Sequence, residues 1–259
     1  MYIAFVKDQL VQSPVGIVLP SVRSVNIHKQ LPLWPGIEIS AVEVDACPEG
    51  CELVPPVEAR FLAPDDLAMY ARARQLLYWQ TQMRFCGFCG TENNLQTTPN
   101  EQFLLCPQCD QRHYPRLNPC IISILTDYDN QRVLLGQAKK HKNGMYACFA
   151  GFIEAGESAE QALVRELKEE TGADIGRCRY LGSQSWPFPQ QLMMAYAAEY
   201  RDSEIVADPD EMNHVKWFDI HALPDNIPGE QTIAGRIIRF VTSRMRAQQS
   251  LYDDYFSLS

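Results

Sequence analysis

With 259 residues and 46% apolar content, the chain can bury a substantial core, and its length suits two domains plus a small module. A formal net charge of −9 argues against coating nucleic acid by bulk electrostatics. No run of 18 apolar residues is present to span a bilayer, and the opening MYIAFVKDQL is interrupted by Lys7 and Asp8 too early for a secretory signal.

Nine cysteines, four of them in two C-x-x-C pairs, suit a reducing compartment with a metal site better than a disulfide framework, so a soluble cytoplasmic protein is expected. Residues 1 to about 62 mix β-branched runs such as GIVLP and IEISAVEV with many prolines, the profile of short strands joined by turns. A helix is predicted from Asp65 and Asp66, after Pro64, to about Met83, with Leu67, Tyr70, Ala71, Arg74, Leu77 and Tyr78 at helical spacing. It would connect the first domain to the rest of the chain.

Cys86-Gly-Phe-Cys89 and Cys106-Pro-Gln-Cys109 are separated by sixteen residues, a zinc-ribbon spacing in which two knuckles give four thiolates to one tetrahedral ion. Four protein ligands close the coordination sphere, so this Zn²⁺ is predicted to be structural. A redox C-x-x-C would need a surrounding βαβ pattern, which is missing. Cys47, Cys51, Cys120, Cys148 and Cys178 read as buried or incidental thiols. Downstream, Pro119 to Thr126 is a continuous apolar strand, DYDNQ a turn, RVLLGQA a second strand and MYACFAGF a third. The dense cationic run Lys139, Lys140, His141 and Lys142 reads as a solvated loop sooner than as a phosphate or RNA contact.

The stretch Gly151 to Ala173, GFIEAGESAEQALVRELKEETGA, holds one short helix. Ser158 is a good N-cap, Gln161 stands at the capping-box position, and Gly172 can supply the left-handed residue that ends the helix. Leu163, Val164 and Leu167 would form a packing stripe, while Glu166, Glu169 and Glu170 share an acidic one with Ala159 and Ala162. Three carboxylates within a turn repel, and a divalent cation is the natural compensation. The bland alternative is a solvated acidic face.

Gly151, Glu157, Arg165-Glu166, Leu167, Glu169-Glu170 and Gly172 together resemble the Nudix box. The resemblance implies that Glu166, Glu169 and Glu170 are ligands of Mg²⁺ or Mn²⁺, that the Ala150 carbonyl completes the metal shell, and that Glu157 and Arg165 hold the loop against the helix.

Beyond the box come CRYLGSQSW, the strand LMMAYAAEY, the strand HVKWFDI and a last helix from Thr232 to about Arg246, with Ile233, Ile237, Phe240 and Val241 on one side. The expected fold class is α/β: a Nudix α/β/α sandwich over residues 115–259, preceded by a four-cysteine zinc ribbon over 84–114 and a mixed α/β N-terminal domain with its connecting helix over 1–83.

The segment Ser183 to Gln191, SQSWPFPQQ, resembles the SQPWPFPxS signature of NADH pyrophosphatases, Nudix enzymes that also remove NAD caps from RNA. Ser185 and Gln191 depart from that signature. The resemblance implies hydrolysis of the pyrophosphate of NADH or NAD, with NAD-capped RNA as a further substrate and a homodimer as the assembly. It assigns substrate binding to Gln184, Ser185, Trp186, Pro187, Phe188, Pro189, Gln190 and Gln191, to Tyr114, to Phe152 as a second stacking ring, to Ala234 and, loosely, to Arg60. It places a further metal-binding acid at Glu211. Two prolines fix the loop and present an aromatic face on which a flat base can stack. ADP-ribose or a diadenosine polyphosphate is the alternative substrate, and a non-catalytic nucleotide or RNA binder the alternative class, though every box glutamate is present.

Overall fold

The computed structural model describes residues 1–22, 24–139 and 144–252. The chain divides into two compact units, one made of Met1–Leu117 with Ser185–Gln190, the other of Asn118–Gln184 with the described residues from Gln191 on. Among the described residues no helix is long and apolar enough to cross a membrane.

In the first unit, β1 (Tyr2–Val6), β2 (Gln9–Gln12), β3 (Ile27–Pro32), β4 (Ser40–Val44) and β5 (Glu52–Val54) form a five-stranded sheet in the order β3-β4-β1-β2-β5. Alternation along β1 sends Ile3 and Phe5 into one core and Ala4 into another with Val11, Val42 and Val44. After the single turn α1 (Pro56–Ala59), helix α2 (Pro64–Gln82) packs Tyr70, Ala73, Leu76, Leu77 and Trp79 into the core with Ile3 and Phe5. The helix begins as predicted, with proline in its first turn and Asp65 and Asp66 beside the positive end of its dipole. It is a core element of the unit and not merely a connector. Its buried residues point in nearly every direction around the axis, and Tyr78, read as a packing position, is 38% exposed where Trp79 takes the interior.

Three short strands, β6 (Asn94–Thr97), β7 (Gln102–Leu105) and β8 (Arg112–His113), pair in sequence order, and Leu104 joins the same core as α2.

The second unit is a mixed sheet of β9 (Asn118–Asp127), β10 (Arg132–Ala138), β11 (Phe149–Phe152), β12 (Asp174–Trp186), β13 (Gln191–Arg201) and β14 (Met212–Asp219), with α3 (Ala159–Thr171) and α4 (Ile233–Arg246). Its order is β12-β13-β9-β10-β14, with β11 paired to β9. Strand β9 is apolar almost throughout because both its faces are covered. Ile121 and Leu125 pack with Leu163 and Leu167 of α3, while Ile124 packs with Ile238, Val241 and Met245 of α4. Parallel β13 sets Ala195 and Ala197 opposite Ile122 and Ile124, and these small side chains leave room for α4. The predicted three-layer α/β/α sandwich is therefore present.

Two helix faces differ from expectation. Val164 is 52% exposed and Phe240 is 47% exposed. At about 100° per residue each falls some 20° beyond the buried arc of its helix, so one apolar residue at the rim is left to solvent. On α3 the packed and acidic stripes also overlap, because Glu170 lies between Ala162 and Leu163 in projection and is only 5% exposed.

Helix α3 starts with the predicted reciprocal cap between Ser158 and Gln161 and ends at Gly172, whose φ is 71°. A β-carbon on Gly172 would meet the Glu204 carbonyl oxygen at 3.1 Å and the Val206 nitrogen at 3.2 Å. Gly172→Ala should therefore cost about 1–2 kcal/mol from the left-handed backbone alone. Urea denaturation of the two proteins checks it, with a wild-type midpoint in the variant as the contrary result.

Candidate active site

The β11 strand delivers the chain into the box loop, and Arg165 closes that loop onto α3. Its Nε donates to Glu157 Oε1 at 2.7 Å and its Nη2 to Glu157 Oε2 at 2.9 Å, a two-point pair whose geometry suits a guanidinium. The backbone nitrogen of Glu154 donates to the same Glu157 carboxylate at 3.0 Å. This bonding holds Glu157 down at about 2, through Arg165 first and the Glu154 amide second. A depressed carboxyl contributes stability that is fully present above its ordinary range and disappears only as pH falls toward 2.

Arg165 does more than the predicted pairing. Nη1 also donates to Glu166 Oε1 at 2.8 Å and Glu169 Oε2 at 3.0 Å, and Nη2 donates to the Phe152 carbonyl at 2.9 Å. One guanidinium thus joins three carboxylates to the end of β11. Its own proton is held more tightly than usual, by Glu157 first and then Glu166.

Glu166 lies directly over Gly151. A β-carbon at residue 151 would fall 1.8–2.1 Å from the Glu166 carboxylate atoms, so only glycine leaves that space. Burial pushes the Glu166 carboxyl upward, Arg165 opposes the push, and the charges of Glu169 and Glu211 add to it. Glu170 is buried one turn further along, and its main-chain carbonyl accepts from the Asp208 nitrogen at 3.1 Å. The Thr171 carbonyl similarly accepts from the Val206 nitrogen at 2.8 Å. These bonds lay the segment after β13 along the end of α3, which brings exposed Glu211 within electrostatic reach of Glu166. Ala150 sits in β11 opposite Ile122, next to Gly151. Glu166 and Glu169, bonded to one nitrogen of Arg165 beside a glycine-made recess, are hard oxygen donors of the kind a divalent cation takes, although among the described residues only the four cysteines bring three or more such ligand atoms within 4.8 Å of one another.

The other expected residues of this unit have definite places. Phe152 is 51% exposed beside the box. The Gln184 amide accepts from the Ile233 nitrogen at 2.7 Å and donates to the Gln231 carbonyl at 3.0 Å, so it fixes the start of α4 beside Ala234. Gln191 opens β13 opposite Asn118. The Lys139 ammonium donates to the Pro209 carbonyl, whereas Lys140, His141 and Lys142 lie outside the described residues.

The first unit carries the rest. The Tyr114 hydroxyl donates to Glu101 Oε2 at 2.9 Å, and its ring lies 5.8 Å from that of Phe103. The Arg60 guanidinium sits 4.8 Å over the Phe61 ring, with Nε buried and without a hydrogen-bond partner. Of the loop Ser185–Gln190, Pro187 and Gln190 are buried, Phe188 is half-buried against Tyr70, and the Trp186 ring meets Phe188 edge-on at 5.0 Å.

The four predicted zinc cysteines converge, with all four sulfurs within 4.8 Å of one another. Cys86 and Cys109 lie 3.6 Å apart, Cys89 and Cys106 3.4 Å, and Cys89 and Cys109 3.7 Å. A tetrahedron with zinc–sulfur bonds of about 2.3 Å has edges of about 3.8 Å, so the spacing fits. The two knuckles repeat the same bonds: Gly90 and Asp110 donate back to Cys86 and Cys106 at 2.9 and 3.0 Å, and Cys86 and Cys106 donate to Thr91 and Gln111 at 2.8 and 2.9 Å. Thr91, first through its hydroxyl and then its backbone, lowers the Cys89 thiol, while burial first and the neighbouring thiols raise that of Cys109.

A NUDIX domain model matches residues 116–239. Over 253 residues the chain is 35% identical to the NAD-capped RNA hydrolase NudC of Pseudomonas aeruginosa, covering 93% of this chain and 88% of that one. The chain belongs to the Nudix family. Proteins of the same name from Stutzerimonas stutzeri and Vibrio atlanticus are 40% and 41% identical, over 70% and 73% of this chain and 64% and 66% of theirs. The relationship is to the NADH-pyrophosphatase type of Nudix protein. A crystal structure of a NUDIX hydrolase from Nitrosomonas europaea superposes with a TM-score of 0.54 at 24% identity, covering 64% of this chain and 94% of that one, which supports the fold.

The cysteine geometry generates a direct test. Elemental analysis should find one zinc per chain, and Cys86→Ser should lose the ion and lower the unfolding midpoint, since a structural site contributes folding free energy. A folded, zinc-free wild-type protein is the result that contradicts it.

Proposed function

We propose that this protein hydrolyses the pyrophosphate bond of NADH or NAD, giving NMNH or NMN plus AMP, and removes NAD from the 5′ ends of capped RNA. The observation that carries the reading is the acidic constellation built on Arg165, with Glu166 recessed over Gly151 and Glu170 buried beside it. Carboxylates are rarely buried without a task, and this site lies in a chain of the NADH-pyrophosphatase type.

Glu166, Glu169, Glu170 and Glu211, with the Ala150 carbonyl, would hold the Mg²⁺ or Mn²⁺ ions of the reaction. Such ions neutralise phosphate oxygens and acidify a water. Arg165 sets the angle of Glu166 and Glu169 while leaving each a second oxygen for other bonds. Glu166 and Glu170 are the acids most sheltered from solvent, and we assign to this pair the proton of the attacking water. The new bond joins that water's oxygen to one phosphorus, the bridging P–O bond breaks, and the second phosphate leaves as a monoester. Phe152, which is 51% exposed, and Trp186, which is partly exposed, are assigned to the flat base. A cytoplasmic homodimer accompanies the reading, and light scattering at micromolar concentration tests its mass.

The deciding assay compares NADH, ADP-ribose and an NAD-capped RNA with Mn²⁺ and with EDTA. NADH and the capped RNA should turn over, and EDTA should abolish both activities. Glu170→Gln should fold normally and lose orders of magnitude in rate, because it removes a ligand of the ions that would neutralise the reacting phosphate. Retention of more than about a tenth of the wild-type rate at saturating metal would count against the role.

Trp186→Ala separates base recognition from phosphate chemistry. It should lower kcat/KM for NADH by roughly tenfold to a hundredfold, the usual range for a lost stacking partner. A small pyrophosphate ester without a base should be much less affected. Equal losses on both would assign Trp186 to the fold instead.

A further inference from the structure

The loop Ser185–Gln190 groups with the N-terminal sheet and not with the strands that enter and leave it. Its ties converge on one face of α2. At the loop's first residue, Ser185 Oγ donates to Gln75 Oε1 at 3.2 Å. At its last, Gln190 Nε2 donates to the main-chain carbonyl of the same Gln75 at 3.2 Å. In the middle, Arg74 Nε donates to the Pro187 carbonyl at 3.1 Å, and the Arg74 guanidinium lies 5.8 Å over the Phe188 ring. The Tyr70 ring lies 6.1 Å from that of Phe188. Arg74 is itself braced, since its Nη1 donates to the Asp8 carbonyl in the β1–β2 turn at 2.6 Å.

We infer that α2 shapes this loop for substrate, with Gln75 as a positioning residue that fixes both of its ends and Arg74 as a second one that fixes its middle. The inference rests on the assignment of Trp186 to the base. Two facts make Gln75 more than incidental. It is a buried amide, 8% exposed, whose Nε2 has no hydrogen-bond partner, a costly residue to keep in a core where a hydrocarbon would fill the same space. The side-chain bond it does make acts where the loop most needs it. Prolines fix the backbone at 187 and 189, while Ser185 and Trp186 are the last two residues of β12, where the strand gives way to the loop. Anchoring Ser185 from one side and Phe188 from the other leaves Trp186 held between them, its ring already edge-on to Phe188 at 67°. The N-terminal domain thereby acquires a part in substrate recognition, since the loop is ordered in advance of binding.

The test uses the full-length protein and a double-mutant cycle. Gln75→Ala and Ser185→Ala should each raise KM for NADH by about threefold to tenfold, the worth of one hydrogen bond. The double variant should lose no more than either single one, because both remove the same link. In Gln75→Ala the loss should appear in KM with kcat little changed, which a general weakening of the fold would not produce. Arg74→Ala should raise KM by an independent route, so its effect should multiply with that of Gln75→Ala. Ser185 is exposed, and its truncation reports on the bond even if the buried Gln75 variant unfolds.

Unchanged KM in Ser185→Ala, alongside a raised KM in Trp186→Ala, would overturn the positioning role and leave the base assignment standing. Losses that multiply between Gln75→Ala and Ser185→Ala would also overturn it, since the two would then act separately. If Trp186→Ala itself left NADH binding intact, the base assignment would fall and this inference with it.

Discussion

The catalytic unit depends on the bonds of one guanidinium. Arg165 reaches back eight residues to Glu157, down one turn to Glu169, across to Glu166 and over to the end of β11 at Phe152. Loop, helix and strand are three separate pieces of backbone, and their relative geometry fixes where the acidic oxygens stand. A lysine could supply the charge but not the planar fork that makes five bonds to four partners at once. The arginine also relieves repulsion between Glu166 and Glu169, which would otherwise oppose each other on adjacent turns. Five carboxylates, counting Glu170 and Glu211, against one guanidinium still leave a surplus of negative charge. Cations are drawn to a site that the protein has shaped but not neutralised.

Much of this was legible because the box is a local pattern. Capping residues, the terminating glycine and the spacing of the acids all act within one helix and its approach loop, so they can be read from neighbours in sequence. The zinc ribbon was legible for the same reason: each knuckle is a self-contained set of bonds around a C-x-x-C pair, and only their meeting is long-range. Periodicity also gave the strands of the second unit and the helices α2 and α4, whereas the run GIVLP in the first unit lies outside every strand. It failed at the rims. Val164 and Phe240 sit just outside the arcs that pack, and where an arc ends depends on how far the neighbouring layer extends.

The overlap of packing and chemistry on α3 could not be read in this way. An amphipathic reading separates apolar and acidic stripes, yet Glu170 is buried among residues that pack. The tertiary bonds at this end of the helix, from Val206 and Asp208 to the carbonyls of Thr171 and Glu170, come from a segment more than thirty residues away. Gln184 was similarly opaque. It belongs to the stretch read as substrate loop, but its amide bonds through both ends to the start of α4, forty-nine residues from Ile233 in sequence at one of them.

The two glutamines beside the aromatic loop each make a side-chain bond to a helix or its start. Gln184 fixes the strand before the loop to α4, and Gln190 fixes the residue after the second proline to α2. Between them, prolines remove backbone freedom and a serine at the end of β12 adds a side-chain bond to Gln75. Each restraint is small, about one hydrogen bond or one lost torsion. Acting on six residues, they restrain the segment that carries Trp186, whose side chain is partly exposed. A recognition ring needs both properties, because a buried ring cannot meet a base and a free one must be ordered at the cost of affinity. In this chain the order comes from a domain with no catalytic motif of its own, which gives its sheet and long helix a reason to accompany the Nudix unit.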